Sequence, residues 1–365
     1  MGNREIIALH PVDGPEPYPL EVRRRIRRDV RADYLRAARA IDAGGFDAVS
    51  VQHEYGIWGG HDGEYVLEFV HALRTPVVAT LHTVLQHPSP SQRRILIELA
   101  GAAAATVVMS TSASNLLTRS YGINPATIEI IPHGVPDLPL IDPDLAKPLL
   151  GLEGRTVILS FGLLGPGKGY ESAIAAMPAI VAADPTALYV IVGATHPEML
   201  RREGEAYRRK LETVASELGV SDHVRFVGRF VDAAELGTWL EAADIFVTPY
   251  PNLEQIVSGT LAYAMSAGKA TVSTPYAYAS ERLAHGRGRL VQPGSTPALA
   301  AAIIELALQP ALRNEYGRKA YAHSRGMLWR EVGGAYRRLL ARVAQPVLTS
   351  GGEGLALAGR ATVRV

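Results

Sequence analysis

The chain has 365 residues, of which 47% are hydrophobic and 20% charged, and its formal net charge at pH 7 is +1. This length predicts two domains of roughly 100 to 200 residues, each with its own core. The near-neutral charge argues against a nucleic-acid partner bound through bulk positive charge. Because the sequence has no cysteine, disulfides, thiolate metal sites and cysteine nucleophiles are excluded.

The N-terminus is polar apart from a brief apolar run at residues 6–9, which does not fit a signal peptide. No apolar stretch reaches the roughly 18 residues that a membrane-spanning helix needs. These features predict a cytoplasmic protein.

The first half alternates short apolar runs with longer helix-like segments. Strands are predicted at residues 6–9, 48–51, 77–81, 106–109 and 128–131, and helices at 20–43, 91–104 and 111–121. In residues 20–43, Val22, Ile26 and Val30 stand among many arginines, which is typical of a basic helix with one buried stripe. Such a surface permits peripheral contact with anionic lipid, but a solvated helix face is the simpler interpretation.

Polar residues follow two of these strands. His53 and Glu54 open a glycine-rich loop with Gly59 and Gly60, and His82 ends the strand at residues 77–81. Polar groups at the carboxyl ends of strands indicate a binding site. The loop's histidines and acids permit a metal ion, but they match no recognised ligand spacing, so we expect none.

The second half repeats the alternation after a proline-rich linker at residues 132–148. Strands are predicted at residues 156–161, 188–192, 224–227, 245–248, 271–273 and 289–291, and helices at 170–183, 198–218, 233–242, 259–267, 297–308, 311–324 and 328–343. This pattern predicts an α/β fold with parallel sheets, in two doubly wound Rossmann-like domains facing a cleft. We expect the domains at residues 1–140 and 141–328, a helix at 329–344 that crosses back to the first domain, and a disordered tail at 345–365.

A glycine loop follows the strand at residues 156–161. It contains Gly165, Gly167 and Lys168 and leads into a helix. Glycines allow the backbone to approach a ligand closely, and a helix N-terminus offers free N–H groups to an anion. The loop is neither a Walker A motif nor a dinucleotide fingerprint. It indicates a phosphate site, while a plain solvated turn remains the alternative.

A second anion site is predicted where Ser258, Gly259 and Thr260 open a helix. Two such sites suit a diphosphate. Nearby, Glu254 and Gln255 offer groups for sugar hydroxyls, and Tyr263 lies one turn into the helix.

At this point the sequence resembles a known family, the retaining GT-B glycosyltransferases of the family 4 (group 1) type, over residues 47–336. The matching pieces are TLHTV at residues 80–84, IPHGVPD at 131–137, FGLLGPGKGYE at 161–171, VRFVGRF at 224–230, AADIFVTPY at 242–250 and LAYAMSAGKATVSTPY at 261–276. Their order and spacing also match.

The resemblance implies a metal-independent hexosyltransferase that moves a sugar from a nucleotide-diphosphate-sugar, with UDP or GDP expected, to an acceptor hydroxyl. It implies no bound cofactor. The second domain would hold the donor, and the first domain would hold the acceptor. The implied catalytic residues are His82, Lys168, Glu254 and Gln255. The implied donor-binding residues are Gly165, Gly167, Lys168, Gly193, Thr195, Arg229, Ser258, Gly259, Thr260 and Tyr263, and the acceptor-side residues are His53, Glu54, Gly59 and Gly60.

Three departures from the family pattern stand out. Gln255 and Tyr263 occupy the positions of a usual pair of glutamates, and Glu254 is the neighbouring carboxylate. Leu163 replaces the basic residue that usually accompanies the lysine, and Arg229 is the expected substitute. The family's opening βα unit is missing. These departures keep two alternatives open, a sugar-nucleotide or glycan-binding pseudo-transferase and a GT-B phosphorylase or epimerase.

Overall fold

The computed structural model describes residues 4–11 and 18–345 of the chain. The chain divides into two units, which are described separately below. Unit 1 comprises the residues up to Pro132 and those from Val332 onward, and unit 2 comprises His133 to Glu331. The predicted disordered tail falls outside the described residues except for Gln345.

All strand pairs are parallel, as the alternation predicts. Unit 1 has the strands β1 (Ile6–His10), β2 (Val22–Arg27), β3 (Val49–His53), β4 (Val77–Leu81), β5 (Ala105–Val108) and β6 (Ile128–Ile130). Unit 2 has β7 (Thr156–Phe161), β8 (Ala187–Val192), β9 (Val224–Val227), β10 (Ile245–Thr248), β11 (Ala270–Ser273) and β12 (Arg289–Leu290). The α/β fold class is confirmed.

The helices alternate with these strands along the chain. They are α1 (Arg31–Ala43), α2 (Tyr65–Ala72), α3 (Pro90–Ala102), α4 (Thr111–Leu116), α5 (Tyr170–Ala183), α6 (Pro197–Glu203), α7 (Ala206–Glu217), α8 (Ala233–Ala242), α9 (Gly259–Ser266), α10 (Ala277–Arg282), α11 (Thr296–Leu308), α12 (Pro310–Ser324) and α13 (Trp329–Val343). From Val332 onward, α13 packs apolar side chains onto the four-stranded sheet of unit 1, where Val332 and Leu339 join Val78 and Val107 in one core cluster.

The prediction of one helix over residues 20–43 is wrong in its first part. Residues Val22–Arg27 form β2, which pairs with β1, and the helix begins only at Arg31. Val22 and Ile26 lie four residues apart, a spacing that puts two side chains on one face of either a strand or a helix. The Asp33 carboxylate, which accepts hydrogen bonds from the Arg27 guanidinium at 2.7 and 3.0 Å, joins the end of β2 to the first turn of α1.

The strands of unit 1 form two separate sheets, one of β1 and β2 and one in the order β3, β4, β5, β6. Within the described residues, β1 and β3 are therefore edge strands. A groove of about 600 Å³ lies beside both of them and is lined mainly by apolar side chains, among them Ile6, Ile26, Phe46 and Trp58.

Unit 2 has one six-stranded sheet in the order β12, β11, β10, β7, β8, β9. Apolar clusters cover both faces, one containing Ile174 and Leu211 and the other Trp239 and Leu240. The predicted helix at residues 198–218 is two helices, because Gly204 between α6 and α7 has φ 60° and ψ −139°, a conformation that glycine alone adopts readily. Helices α2 and α10 were not predicted.

Candidate functional site

The six-stranded sheet of unit 2 has a switch point between β7 and β10. From β7 the chain crosses through α5 to β8 on one side, whereas β10 lies on the other side of β7. In open α/β sheets, ligands bind outside the carboxyl ends of the strands at this point. The loops that leave it are residues 162–169, after β7, and residues 249–258, after β10.

Glycines let these loops pack closely on one another. Gly169 has φ 73° and precedes α5, and a Cβ atom on it would lie 2.0 Å from the carbonyl oxygen of Pro249. Gly193 has φ 148°, and its Cβ would lie 2.1 Å from the Gly162 oxygen. Any larger residue at Gly169 or Gly193 would therefore push the loops apart.

Lys168 is half-buried at the end of the glycine loop. Its Nζ atom lies 4.7 Å from the centre of the Tyr250 ring, which follows β10. Across residues 4–11 and 18–345, no carboxylate forms an ion pair with Lys168. Its positive charge is therefore not neutralised within the described protein and remains available to an anion.

The second predicted anion site begins α9. The Ser258 hydroxyl caps this helix and accepts a hydrogen bond from the Leu261 amide at 3.3 Å. Thr260 Oγ1 lies 3.1 Å from the Ser258 hydroxyl and 2.9 Å from the Tyr250 hydroxyl. A Cβ on Gly259 would lie 2.9 Å from His133 Nε2. Tyr250 thus contacts both Lys168 and the first turn of α9.

His133 lies beside this turn as a half-buried imidazole. Its Nδ1–H donates to the Gly134 oxygen at 2.8 Å. Burial lowers its pKa, and the bond to Gly134 partly opposes that effect. The neutral ring therefore directs Nε2 toward Gly259.

Three predicted residues near α9 already have partners. The Gln255 amide donates to the Val257 oxygen at 2.9 Å. Tyr263 packs its ring against Phe161 and His133, with centroid separations of 6.2 Å in both cases. Glu254 is half-buried, and its backbone amide donates to Asn252 Oδ1 at 2.9 Å. Of the three, only Glu254 offers a carboxylate.

The remaining predicted donor residues lie on the loops after β7, β8 and β9. Gly165 and Gly167 belong to the glycine loop, where Gly167 has φ 92°. The Thr195 hydroxyl is buried and donates to Glu205. Arg229 pairs with Glu235 through bonds of 2.7 and 2.6 Å. A phosphate would have to compete with Glu235, so Arg229 is a weaker substitute partner for Lys168 than expected.

In unit 1, the histidines His53 and His82 follow the neighbouring strands β3 and β4. His82 Nε2 lies 2.9 Å from Gln52 Oε1. His53 is fully buried, its ring meets Tyr55 edge-on at 5.0 Å, and neither ring nitrogen has a partner among the described residues. Burial, and secondarily the positive charge of His82, lower the pKa of His53 to about 4. His53 is therefore a neutral, structural imidazole at pH 7.

The glycine-rich loop after β3, which is predicted to face the acceptor, is held by backbone and side-chain contacts. The Gly59 amide donates to the Tyr34 hydroxyl at 3.0 Å, and a Cβ on Gly59 would lie 1.8 Å from the Arg28 oxygen. Glu54 Oε2 accepts from the Thr83 hydroxyl at 2.6 Å, which joins the loops after β3 and β4. Gly60 has φ 81° and is also fixed in this loop.

A pocket of about 450 Å³ opens beside this loop and is lined by Arg28, Asp29, Gly60 and Asp62, among others. Asp62 adopts φ 54°, which is rare for a residue other than glycine. Its carboxylate accepts from the Ser89 hydroxyl at 3.2 Å. Arg28 and Asp29 form an ion pair with each other at 3.1 Å. The pocket thus combines this pair with the Asp62 carboxylate, and all three groups can bind hydroxyls.

The sequence prediction missed Tyr250 and Asp62. Tyr250 ends the motif AADIFVTPY at residues 242–250, but its partner Lys168 is distant in sequence, so only the folded chain reveals the contact. Asp62 carried a signal in its glycine-rich surroundings.

Over the described residues, the structure has no group of three or more His, Asp or Glu side chains arranged to hold a metal ion. In the same part of the chain, no helix is long and apolar enough to cross a bilayer.

Comparisons with known proteins identify the family models and relatives that this chain resembles. A family model described as Glycosyltransferase Family 4 matches residues 4–137, and one described as Glycosyl transferases group 1 matches residues 144–323. A D-inositol 3-phosphate glycosyltransferase of Actinosynnema mirum is 28% identical over 324 residues, covering 82% of this chain and 73% of the relative. A phosphatidyl-myo-inositol mannosyltransferase of Mycolicibacterium smegmatis is 30% identical over 220 residues, covering 59% and 52%.

Solved structures share the fold. Sucrose-phosphate synthase of Thermosynechococcus elongatus superposes with a TM-score of 0.74 at 20% identity, covering 93% of this chain and 89% of its own. HepE of Anabaena, solved with UDP and glucose, superposes with a TM-score of 0.70 at 19% identity, covering 85% and 82%.

Proposed function

Because the two family models together match most of its length, the chain belongs to the group 1 glycosyltransferases, and we propose that it is a retaining, metal-independent transferase using UDP-sugar or GDP-sugar. The observation that carries the donor class is the meeting of two anion sites at one switch point. Lys168 follows β7, the first turn of α9 lies beyond β10, and Tyr250 contacts both. A diphosphate is the anion that such a pair of sites suits.

The chemistry follows from the charges that develop when the sugar leaves. The bond between the anomeric carbon and the diphosphate breaks, and negative charge grows on the leaving phosphate. The Lys168 ammonium and the backbone amides opening α9 stabilise that charge, and such preorganised donors contribute about 3 kcal/mol each in comparable sites. The acceptor hydroxyl attacks from the face that the leaving group vacates and gives its proton to an oxygen of the departing diphosphate. The new glycosidic bond retains the anomeric configuration, and no protein nucleophile is needed.

We assign the sugar-binding roles to His82, Glu254 and Gln255. His82 lies at the carboxyl end of β4, where the resemblance places a histidine that reaches the donor sugar. Glu254 takes the acidic role, since Gln255 and Tyr263 carry no charge. The Gln255 side chain can accept a sugar hydroxyl through Oε1 while its amide nitrogen stays bonded to Val257.

For the acceptor we propose a polyol, bound in the pocket of unit 1. Arg28, Asp29 and Asp62 supply one donor group and two acceptor groups for neighbouring hydroxyls. The relatives named for inositol phosphate and phosphatidyl-inositol acceptors support this chemical class. D-inositol 3-phosphate is therefore the first acceptor to test, with release of UDP or GDP as the readout. Asp62→Asn is expected to raise the KM for the acceptor and to leave donor affinity unchanged.

The donor proposal is tested by thermal shift with UDP, GDP, ADP and dTDP. A nucleotide at about 100 times its Kd adds roughly 2.7 kcal/mol of stability, which a melting curve resolves. Lys168→Ala is expected to reduce the shift strongly, because one of the two anion contacts is lost. Lys210→Ala is a matched control, because Lys210 lies on the surface with its Nζ 3.7 Å from Glu171. If neither UDP nor GDP stabilises the protein, the proposed donor class is wrong.

A further inference from the structure

Tyr250 is held rigidly at the switch point of unit 2. It is 4% exposed and stacks on Tyr276, with ring centroids 5.2 Å apart and an angle of 17° between the planes. Its carbonyl oxygen accepts a hydrogen bond from the Thr274 hydroxyl at 2.5 Å. Backbone and ring are therefore fixed by the segment that follows β11, and the ring can serve as a platform.

The face of this platform meets Lys168. The 4.7 Å separation between Nζ and the ring centre lies within the range of a cation–π interaction. Lys168 has no ion pair in the described part of the chain, and the residue where the resemblance expects a basic partner is Leu163. The aromatic ring thus orients the ammonium without neutralising it, which a carboxylate could not do.

The hydroxyl of the same side chain binds the other anion site. It lies 2.9 Å from Thr260 Oγ1, on the second residue of α9. Thr260 is bonded in turn to Ser258, the cap of that helix. One side chain therefore connects a lysine on the loop after β7 with a helix N-terminus beyond β10.

We propose that Tyr250 is a positioning residue for the donor diphosphate. It acts through Lys168 and Thr260, holding the ammonium and the first turn of α9 at a fixed separation, so that one diphosphate meets both at once. This inference rests on the proposed function, because it requires a diphosphate ligand at this site. The Tyr250 ring, through Lys168, contributes most of the gain in diphosphate affinity. The Tyr250 hydroxyl, through Thr260, fixes the distance between the two anion sites.

The test is a double-mutant cycle on Lys168 and Tyr250 in the full chain, with the Kd values of UDP, GDP, UMP and GMP measured by calorimetry. Tyr250→Leu removes the cation–π contact and is therefore expected to raise the Kd of UDP or GDP about tenfold. Tyr250→Phe keeps the ring and loses one hydrogen bond, which costs a factor of about three. When Lys168 has already been replaced by Met, the cation–π contact no longer exists. In that background, Tyr250→Leu is expected to raise the Kd only about threefold, as Tyr250→Phe does in the parent.

Tyr189→Phe is the matched control. It removes a buried hydroxyl of β8 that donates to Ser160 Oγ at 3.0 Å, and it leaves Tyr250, Lys168 and the first turn of α9 unchanged. Its diphosphate affinity is expected to stay within about twofold of the parent, since Tyr250 keeps its ring stack and both of its contacts. The monophosphates are expected to lose less affinity than the diphosphates in Tyr250→Leu, whereas general damage to the loop would weaken both equally.

The outcomes separate this inference from the function on which it rests. If the parent binds neither UDP nor GDP, the proposed function fails. Suppose instead that the parent binds a diphosphate and that Lys168→Met weakens this binding. If Tyr250→Leu then lowers the affinity as much in the Lys168→Met protein as in the parent, the positioning role is overturned. Equal losses in Tyr250→Phe and Tyr250→Leu would also overturn it. Should Tyr250→Leu fail to fold, Tyr250→Trp decides, because a Trp ring must retain the Lys168-dependent affinity.

Discussion

The buried histidine of unit 1 makes the protein sensitive to mild acid. His53 is fully buried, and its two ring nitrogens have no hydrogen-bond partner among the described residues. Charging it in the folded state would place a cation in an apolar environment near a second histidine, His82. Burial accordingly lowers its pKa from 6.5 to about 4.

The direction of the effect on stability follows from proton linkage. The unfolded chain binds a proton at His53 below about pH 6.5, whereas the folded chain stays neutral there until about pH 4. The unfolded state therefore binds more protons between these two values, and the free energy of unfolding falls as the pH drops through this window. The loss amounts to about 2 kcal/mol at pH 5 and approaches about 3 kcal/mol below pH 4.

The assay is urea unfolding of the full chain at pH 7.0 and pH 5.0. The quantity of interest is the difference in unfolding free energy between the two pH values. His53→Leu is expected to shrink that difference by about 2 kcal/mol, whatever its absolute stability, because the titrating group is gone. His71→Gln removes an exposed histidine from α2, and its pH difference is expected to equal that of the parent.

A His53→Leu protein that loses as much stability on acidification as the parent would refute this reasoning. In that case His53 would have to find a partner or solvent in the folded state, contrary to its buried and unbonded ring. An equal change in His71→Gln would show that the difference arises from surface charge.

The other predictions concern unit 2. Asp244→Asn is expected to lower the free energy of unfolding by about 3 to 5 kcal/mol, measured in urea, because a buried ion pair loses one partner. The Asp244 carboxylate lies 2.9 Å from Lys147 Nζ and accepts from the Val157 amide at 2.8 Å; the same change at the exposed Asp222 should cost under about 0.5 kcal/mol. Gly193→Ala should destabilise by about 1 to 3 kcal/mol and weaken nucleotide binding, because its Cβ would lie 2.1 Å from a backbone oxygen. Gly101→Ala, whose Cβ would meet nothing within 4 Å, is its control in melting experiments.

The fold was predictable from the sequence where the spacing of apolar residues fitted a strand and excluded a helix, or the reverse. The strands β7, β8, β10 and β11 of unit 2 are buried on both faces, and their continuous apolar runs could not be confused with amphipathic helices. Residues 20–28 were different, because apolar side chains four residues apart satisfy both a strand and a helix. Only the pairing of β2 with β1, a contact between distant segments, decides for the strand.

The candidate site was predictable as a set of loops but not as a set of contacts. The glycine loop and the helix opening at Ser258 follow from local sequence, since strand, glycine and cap signals are all local. The side chain that each charged residue contacts depends on which strands are neighbours in the sheet, and local sequence does not give that order. Arg229, which we expect to accompany Lys168, pairs with Glu235 on α8. Tyr250 lies beside Lys168, and no local sequence signal indicates this contact.

The charges at the two edges of the six-stranded sheet support the proposal that the ligand binds at the carboxyl edge. At the amino edge, Asp244 lies 2.9 Å from Lys147 and 3.4 Å from Arg313, so the buried charges there are compensated. Lys269, at the same edge, donates to the Glu241 oxygen at 2.8 Å, and burial lowers its pKa to about 8. These charges have protein partners, so removing one partner would leave the other buried without compensation. At the carboxyl edge, Lys168 rests on an aromatic face that orients its charge and leaves it unneutralised, and a charge held in this way is completed only by an anionic ligand.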